Sequence, residues 1–534
     1  MSSASSPTSS TSALAPLANP TFRVLWLAWL IANTCMWMTD VAAAWLMTSM
    51  TRDPMLVALV QTASTLPVFL LGLPSGALAD IVDRRRWFIF TQFWVAGTAM
   101  LLALMALAGG LTPPLLLMLV FLNGIGLAMR WPVFAAVVPE VVERHQLSSA
   151  LALNGVAMNT SRIIGPVLAG AVIAAVGTVS VFLLNALLSL VAAALIWRWR
   201  SVPKVSALPG ERFVGAMRVG LMYVRQSPRM RAVLLRIFVF FLQSTALLAL
   251  LPLVAHGLQG GGAGTYTLLL AAMGVGAIAG GLSLPRLRAT LNRDQLVRRG
   301  TLIHALATVA VAFSPTVWIA GLAMVAAGAA WMAVANSLAI AAQLALPDWV
   351  RARGMSIYQM SLMAGSALGA ALWGQVASLS SVHVSLLLAA ALALILLLLL
   401  RGWHVESDVE EDLSPKRVWT EPTPAFDIAA QQGPVMVTIE YLIDADDVSA
   451  FTAVMQDSRR SRLRQGALSW GLFRDSADPR RFVEYFVDEN WVEHRRRFDR
   501  VTALDVELRE RRVALHRGDA PPRVQRLVAE SLTR

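Results

Sequence analysis

The length, composition and charge of the chain exclude an ordinary soluble protein. Of its 534 residues, 56% are hydrophobic and 15% are charged, and the mean hydropathy is +0.60, as is typical of a membrane protein. The formal net charge is +12, but most basic residues flank apolar runs, so contact with membrane lipid explains them better than nucleic-acid binding. The single cysteine, Cys35, excludes a disulfide framework and a cysteine-ligated metal site.

The N-terminal tail and the apolar runs are the first features along the chain. Residues 1–20 are rich in Ser, Thr, Ala and Pro and contain no basic residue. We therefore expect a disordered tail there rather than a signal peptide. The chain that follows contains twelve runs long enough to cross a membrane as helices. They lie at about 22–50, 55–79, 87–109, 113–138, 149–175, 179–197, 230–255, 264–284, 298–314, 316–345, 354–379 and 383–400.

The connectors between these runs alternate in charge. One set is basic, whereas the alternate set holds a single basic residue, Arg52. Short loops rich in Lys and Arg stay in the cytoplasm, so we expect a multi-pass protein of the inner (cell) membrane with both termini inside. The connector at 201–229 also belongs to the cytoplasmic set. The basic set includes Arg84, Arg85, Arg86, Arg144, Lys204, Arg286, Arg288 and Arg351.

A repeated pattern divides the apolar region into two halves. Pro139-Glu140 closes the fourth run and Pro347-Asp348 closes the tenth, 208 residues later. The sequence therefore predicts an all-α membrane fold of twelve helices in two six-helix halves, at 21–200 and 230–401. Repeats of this kind place a substrate cavity between the halves near the midplane and favour a transporter over a channel.

The last quarter of the chain changes character. Residues 402–432 are acidic and contain Pro, as a linker would. In the remaining segment, 433–534, alternating residues such as Val435, Val437 and Ile439 predict a strand, and later patterns predict helices and further strands. The predicted order β-α-β-β-α-β is that of a ferredoxin-like α+β domain.

A loop motif follows the second run. It reads Gly76-Ala77-Leu78-Ala79-Asp80-Ile81-Val82-Asp83-Arg84-Arg85-Arg86 and resembles the loop signature of the major facilitator superfamily. Gly76 allows close helix approach, Asp80 is placed to pair with Arg or a helix N-terminus, and Arg84 and Arg85 anchor at the anionic leaflet. The resemblance implies a gating latch. Asp83 replaces the usual glycine, as in the exporter branch that resembles enterobactin and macrolide efflux proteins.

A second motif lies in the fifth run. The stretch from Asn159 to Gly170 contains Gly165, Pro166 and Gly170 and resembles the glycine-proline motif of export members of that superfamily. Small residues and a proline permit a close crossing and a kink, although ordinary packing explains each glycine equally well. The resemblance covers roughly residues 20–400 and implies a secondary-active exporter of drug-like or siderophore-like small molecules, driven by protons. A nutrient importer of the same fold is the alternative.

Charged residues inside the apolar runs are the candidate transport residues, because charge within hydrocarbon costs about 2.5–3.5 kcal/mol. They are Asp40, Arg130 and Arg162. Asp40 lies near the middle of the first run, where a carboxylate can load and release a proton, or can pair with a buried Arg. Arg130 and Arg162 are candidates for substrate contact or for a structural charge network.

The C-terminal domain carries a second resemblance. Phe482-Val483-Glu484-Tyr485-Phe486 and the stretch from Trp491 to His494 resemble the dimeric α/β barrels of antibiotic-biosynthesis monooxygenases. We expect this domain to form a homodimer or to regulate transport from the cytoplasm, and a solvated structural appendage is the alternative. Trp491 has the spacing of a core residue and no cofactor motif accompanies it, so we expect no catalytic residue, cofactor or metal. A membrane-tethered monooxygenase-like enzyme is the remaining alternative.

Overall fold

A computed structural model describes residues 14–81, 83–143, 146–199, 213–258, 261–406, 411–416 and 424–530. The chain divides into two compact units. The first comprises Met1–Pro209, Leu235–Ser337 and Gln359–Gly402. The second comprises Gly210–Leu234, Leu338–Tyr358 and Trp403–Arg534.

Thirteen helices precede residue 400 in the described ranges. Several begin at a proline, whose fixed φ and missing N–H suit a first helical turn, and others follow an Asn, Asp or Ser cap such as Asp83 and Asn292. They are α1 (Pro20–Met50), α2 (Pro54–Ile81), α3 (Arg84–Leu107), α4 (Pro113–Val141), α5 (Leu147–Val176), α6 (Thr178–Trp197), α7 (Phe213–Gln226), α8 (Pro228–Gly257), α9 (Ala263–Thr290), α10 (Arg293–Ala312), α11 (Val317–Leu344), α12 (Asp348–Leu379) and α13 (Val382–Leu399).

Eleven of these helices are long and apolar enough to cross a membrane, by length and composition, within the described residues. Among the helices that contain the twelve predicted runs, α10 is the exception. The sequence predicted its start at 298, but Asn292 and Gln295 form a capping box that starts the helix at Arg293. The helix therefore includes Arg293 and Asp294 in addition to the arginines that follow, and its composition is less apolar.

Three segments that the sequence predicted as tail, connector or linker contain ordered structure. A 3-10 helix spans Ala15–Ala18 with Pro16 buried, whereas residues 1–13 lie outside the described ranges. The 201–229 connector contains α7, a 14-residue helix that is too short for a membrane span and includes Arg218 and Arg225, so a search for apolar runs does not find it. In the 402–432 linker, Pro415 forms a β-bridge with Thr502. Packing against a folded domain thus overrides a linker-like composition.

Glycines bring helix backbones of the first unit into direct contact. A Cβ added at Gly276 on α9 would lie 1.9 Å from the carbonyl oxygen of Val325 on α11. A Cβ added at Gly365 on α12 would lie 2.4 Å from the carbonyl oxygen of Phe238 on α8. These positions tolerate only glycine, because backbone atoms cannot move aside as a flexible side chain can.

The second unit contains a four-stranded antiparallel sheet. The strands are β1 (Val435–Leu442), β2 (Ser469–Arg474), β3 (Arg481–Asp488) and β4 (Arg523–Val528), in the spatial order β2-β3-β1-β4. The helices are α14 (Val448–Arg464), α15 (Trp491–Asp499) and α16 (Ala503–Ala514). Alternate β1 residues are buried, so one face of the sheet packs in the core with Phe451 and Met455 of α14.

Buried ion pairs join α14 and α15 to the buried face of the sheet. Glu484 accepts hydrogen bonds from Arg462, Trp470 and Tyr441 at 3.0–3.1 Å. Asp488 pairs with Arg497, and His494 Nδ1 lies 2.9 Å from Asp488 Oδ2. Burial alone would raise the pKa of Asp488, but the charge of Arg497 and hydrogen bonds from His494 and Arg497 hold that pKa well below its usual range.

Candidate functional site

The candidate site is a cavity inside the first unit. It is lined by residues of α1, α2, α5, α8, α9 and α11. A largely apolar cavity with a few polar side chains suits a small-molecule ligand. Most lining side chains are aliphatic, aromatic or Met. The polar ones are Asp40, Gln61, Ser64, Arg162 and Tyr266.

Arg162 of α5 enters the cavity between two tryptophans. Its guanidinium carbon lies 4.2 Å from the ring centroid of Trp331 and 5.3 Å from that of Trp37. A guanidinium over an indole face is attracted by the ring's electrons. Gly165 fixes this arrangement, because a Cβ there would lie 2.5 Å from the Cβ of Trp37, so α5 and α1 approach closely beside the arginine. Arg162 Nε is buried and has no hydrogen-bond partner among the described residues.

Asp40 lines the same cavity from α1. It follows Trp37 by three residues, a spacing that puts both side chains on one face of a helix. The described part of the chain shows no ion pair between Asp40 and either Arg130 or Arg162. The structural pairing with a buried Arg that the sequence left open is therefore not observed, and the carboxylate faces the cavity.

Arg130 lies apart from the cavity. Its side chain is 1% exposed and its guanidinium carbon is 5.5 Å from the ring centroid of Trp29, whose own ring stacks on Phe134. Its Nη1 donates to the carbonyl oxygen of Ala32 at 3.4 Å. The structure thus brings Asp40 and Arg162 to one cavity and places the third candidate in helix packing.

The first residues of the loop motif, 76–81, form the end of α2, and side chains of the motif are described from Asp83 onward. Asp83 caps α3, and its side chain accepts a hydrogen bond from the backbone N–H of Arg86. This role explains a carboxylate where a glycine is usual. Arg85 donates to the carbonyl oxygen of Trp197. The side chain of Asp80 and the surroundings of Gly76 lie outside the described part, and the latch assigned to these residues stays a prediction.

The helix-five motif combines a cavity wall and a tight contact. Pro166 lines the cavity. Gly170 lies against α9, where an added Cβ would come within 1.9 Å of Thr267 Oγ1. The motif residues therefore join a helix of the N-terminal half to a helix of the C-terminal half.

Sequence reasoning missed the aromatic residues of the cavity. Trp37, Tyr266 and Trp331 line it. The chain has 17 tryptophans, and the sequence around Trp331 does not distinguish it from the others. For Trp37 a signal existed, because it precedes Asp40 by one helical turn. Within the described ranges, no group of three His, Cys, Asp or Glu side chains is placed to hold a metal ion.

Solved transporter structures share the fold of the helical region. The nucleoside transporter NupG matches with a TM-score of 0.59 and 12% identity, over 72% of this chain and 99% of that one. A bacterial homologue of the human lysosomal transporter Spinster, in an inward-facing conformation, matches with a TM-score of 0.57 and 14% identity, over 72% and 95%. At such identities the likeness shows the fold alone. With eleven candidate membrane spans within the described residues, the fold is that of a multi-pass membrane protein.

The chain belongs to the transmembrane secretion effector family of the major facilitator superfamily, whose profile matches residues 11–533. The Staphyloferrin A transporter of Staphylococcus aureus is 21% identical over 282 residues, which are 52% of this chain and 70% of that protein. Macrolide efflux protein A of Streptococcus pyogenes is 21% identical over 266 residues, 49% of this chain and 65% of that protein. The chain thus spans about two thirds of each relative. Its family and neighbours are transporters, and the monooxygenase alternative is set aside.

Proposed function

We propose that the protein exports drug-like or siderophore-like small molecules by alternating access, driven by inward proton flow. The observation that carries this proposal is the cavity that α1, α2 and α5 share with α8, α9 and α11, with Asp40 exposed to it. A carboxylate without a described ion-pair partner in such a place can take a proton in one conformation and lose it in the other.

The six-plus-six arrangement supports alternating access. The halves pack at the ends of the helices away from the basic loops, and α2 and α12 also meet nearer to those loops, where a Cβ at Gly72 would lie 3.3 Å from Met360 Cγ. At the ends away from the loops, the rings of Trp45 and His256 stack with their centroids 4.7 Å apart, and the ring centroids of Trp45 and Tyr266 lie 5.9 Å apart. Gly170 meets Thr267 at the same ends. In the predicted topology these contacts seal the cavity from the outside.

The orientation in the inner membrane rests on the basic loops, which put both termini in the cytoplasm. A phosphatase reporter fused after Arg534 should be inactive, because the enzyme needs the periplasm, and a green fluorescent fusion at the same site should fluoresce. Phosphatase activity there would reverse the topology.

Export is favoured by the helix-five motif and by the efflux protein among the relatives. The test is an accumulation assay over a panel of antibiotics, dyes and siderophores. Cells that express the protein should accumulate less of the transported compound than cells without it, and an uncoupler should remove the difference. Higher accumulation in expressing cells would favour the importer of the same fold. A difference that survives the uncoupler would remove proton coupling.

The C-terminal domain is proposed to be ferredoxin-like and to form a homodimer. The element order and the spatial order β2-β3-β1-β4 support the fold. The sheet face opposite the helices carries Phe473 and Leu527, which are 62% and 49% exposed, and Phe473 stacks on Tyr485. An apolar face of this kind suits a second copy of the chain. Light scattering of purified protein should give a dimer mass, and Phe473→Asp should give the monomer.

A further inference from the structure

The guanidinium of Arg162 is the one feature of the cavity that the proposed transport cycle leaves unexplained. It lies over the faces of Trp37 and Trp331, and its buried Nε–H has no acceptor among the described residues. A guanidinium with a buried Nε–H and no anionic partner carries a desolvation cost, and contact with aromatic faces offsets only part of it.

The protein does not supply the missing anion from the described residues. Asp40 is the acidic residue in the cavity lining, and no described ion pair joins it to Arg162. The tryptophans come from different halves, Trp37 from α1 and Trp331 from α11. They hold the guanidinium in place while its N–H groups stay available for a planar acceptor. Paired N–H donors of this type match a carboxylate in bidentate geometry.

The other side chains that line the cavity are suited to contact an apolar part of a ligand. Tyr266, Met273 and Met332 surround the space beside the two tryptophans, and such side chains pack well on aromatic and aliphatic groups. We propose that the cavity binds small molecules that carry a carboxylate on an apolar, aromatic body, with the carboxylate held by Arg162. This inference rests on the proposed function, since it names the substrate class of the same cavity.

Equilibrium dialysis of the purified full-length protein, in an uncharged detergent, tests the inference. The probes are 2-naphthoate and its neutral counterpart 2-naphthamide, which differ only in the anionic group. Wild-type protein should bind the carboxylate about tenfold more tightly than the amide, as expected for a charge-assisted hydrogen-bonded pair. Arg162→Gln should bind both probes equally, and Arg162→Lys should retain part of the preference as a point charge.

The matched control is Arg298→Gln, which removes a positive charge on the exposed side of α10 outside the cavity. It should keep the wild-type preference. Equal binding of both probes to wild-type protein, or binding of neither at millimolar concentration, overturns the inference without any variant. A preference that persists in Arg162→Gln also overturns it.

The dialysis needs neither a membrane nor a gradient, so it separates two failures. Selective binding of the carboxylate together with no effect in the accumulation assay would leave the inference standing and remove the proposed export. Uncoupler-sensitive efflux with no carboxylate preference in the dialysis would support the proposed export and overturn the inference about the carboxylate.

Discussion

Replacement of Asp40 by Asn is expected to reduce proton-driven transport to the background level. The amide keeps the size and polarity of the side chain but cannot bind and release a proton, so a pH gradient would no longer be coupled to movement of the substrate. Exchange of labelled against unlabelled substrate across a membrane without a gradient should continue, because it requires the cavity but no net proton transfer. Proteoliposomes loaded with a substrate from the accumulation panel allow both measurements.

Asp53→Asn is the matched control for this experiment. Asp53 precedes α2 outside the cavity, and its side chain accepts a hydrogen bond from the backbone N–H of Met55, a role that Asn fills equally well. This variant should transport like wild type. Gradient-driven transport by Asp40→Asn at the wild-type rate would remove Asp40 from proton coupling, and loss of exchange as well would make Asp40 a substrate contact.

The second large effect is expected from Asp488→Asn in the C-terminal domain. Asp488 is buried against Arg497 and His494, and the change would leave the Arg497 charge buried without its counter-charge. Breaking a buried pair in this way costs about 3–5 kcal/mol, much of the stability of a small domain. Limited proteolysis of the full-length protein, with fragments identified by mass, should show faster cleavage between residues 433 and 534.

An exposed ion pair of the same domain supplies the matched control. Asp457→Asn removes an exposed partner of Arg460 and should change cleavage little, since such surface pairs contribute about 0–1 kcal/mol.

The pKa of Asp488 is lowered in the folded state, so the ionised carboxylate stabilises the domain fully above the ordinary pKa of about 3.9. That stabilisation declines as the pH falls further. Wild type and Asp488→Asn should therefore differ most at neutral pH, and equal cleavage there would contradict the role of the pair.

Most helices could be predicted from sequence, because the bilayer demands long apolar runs and the sequence shows them directly. The start of α10 could not, since a capping box extends that helix through charged residues. Helix α7 was missed for a related reason. Its basic residues fit a cytoplasmic connector, whereas its helical conformation depends on packing of Val219 and Tyr223, which are 2% and 3% exposed.

The charged residues of the candidate site could be predicted from the sequence, but their positions relative to the cavity could not. Charge inside an apolar run singled out Asp40, Arg130 and Arg162 equally, because the cost of burying a charge is visible in the sequence. Which helix face each side chain occupies depends on the rotation of the helix in the bundle. That rotation turns Arg162 into the cavity and Arg130 toward Trp29. Trp331 reaches Arg162 from a distant part of the chain, and only the fold brings them together.

The packing of α7 has a consequence for biosynthesis. Within the second unit, Met222 packs against the core of the C-terminal domain, and the space for a Cβ at Gly466 is filled by Val219. The domain core is therefore built from two separated parts of one chain. The ribosome makes α7 long before β1, so its apolar side chains stay without their final partners until the last strands emerge. A chain that stops before residue 433 contains α7 in full but lacks the domain core against which α7 packs. Deletion of the C-terminal domain therefore removes the packing partner of α7 and is not the removal of an independent module.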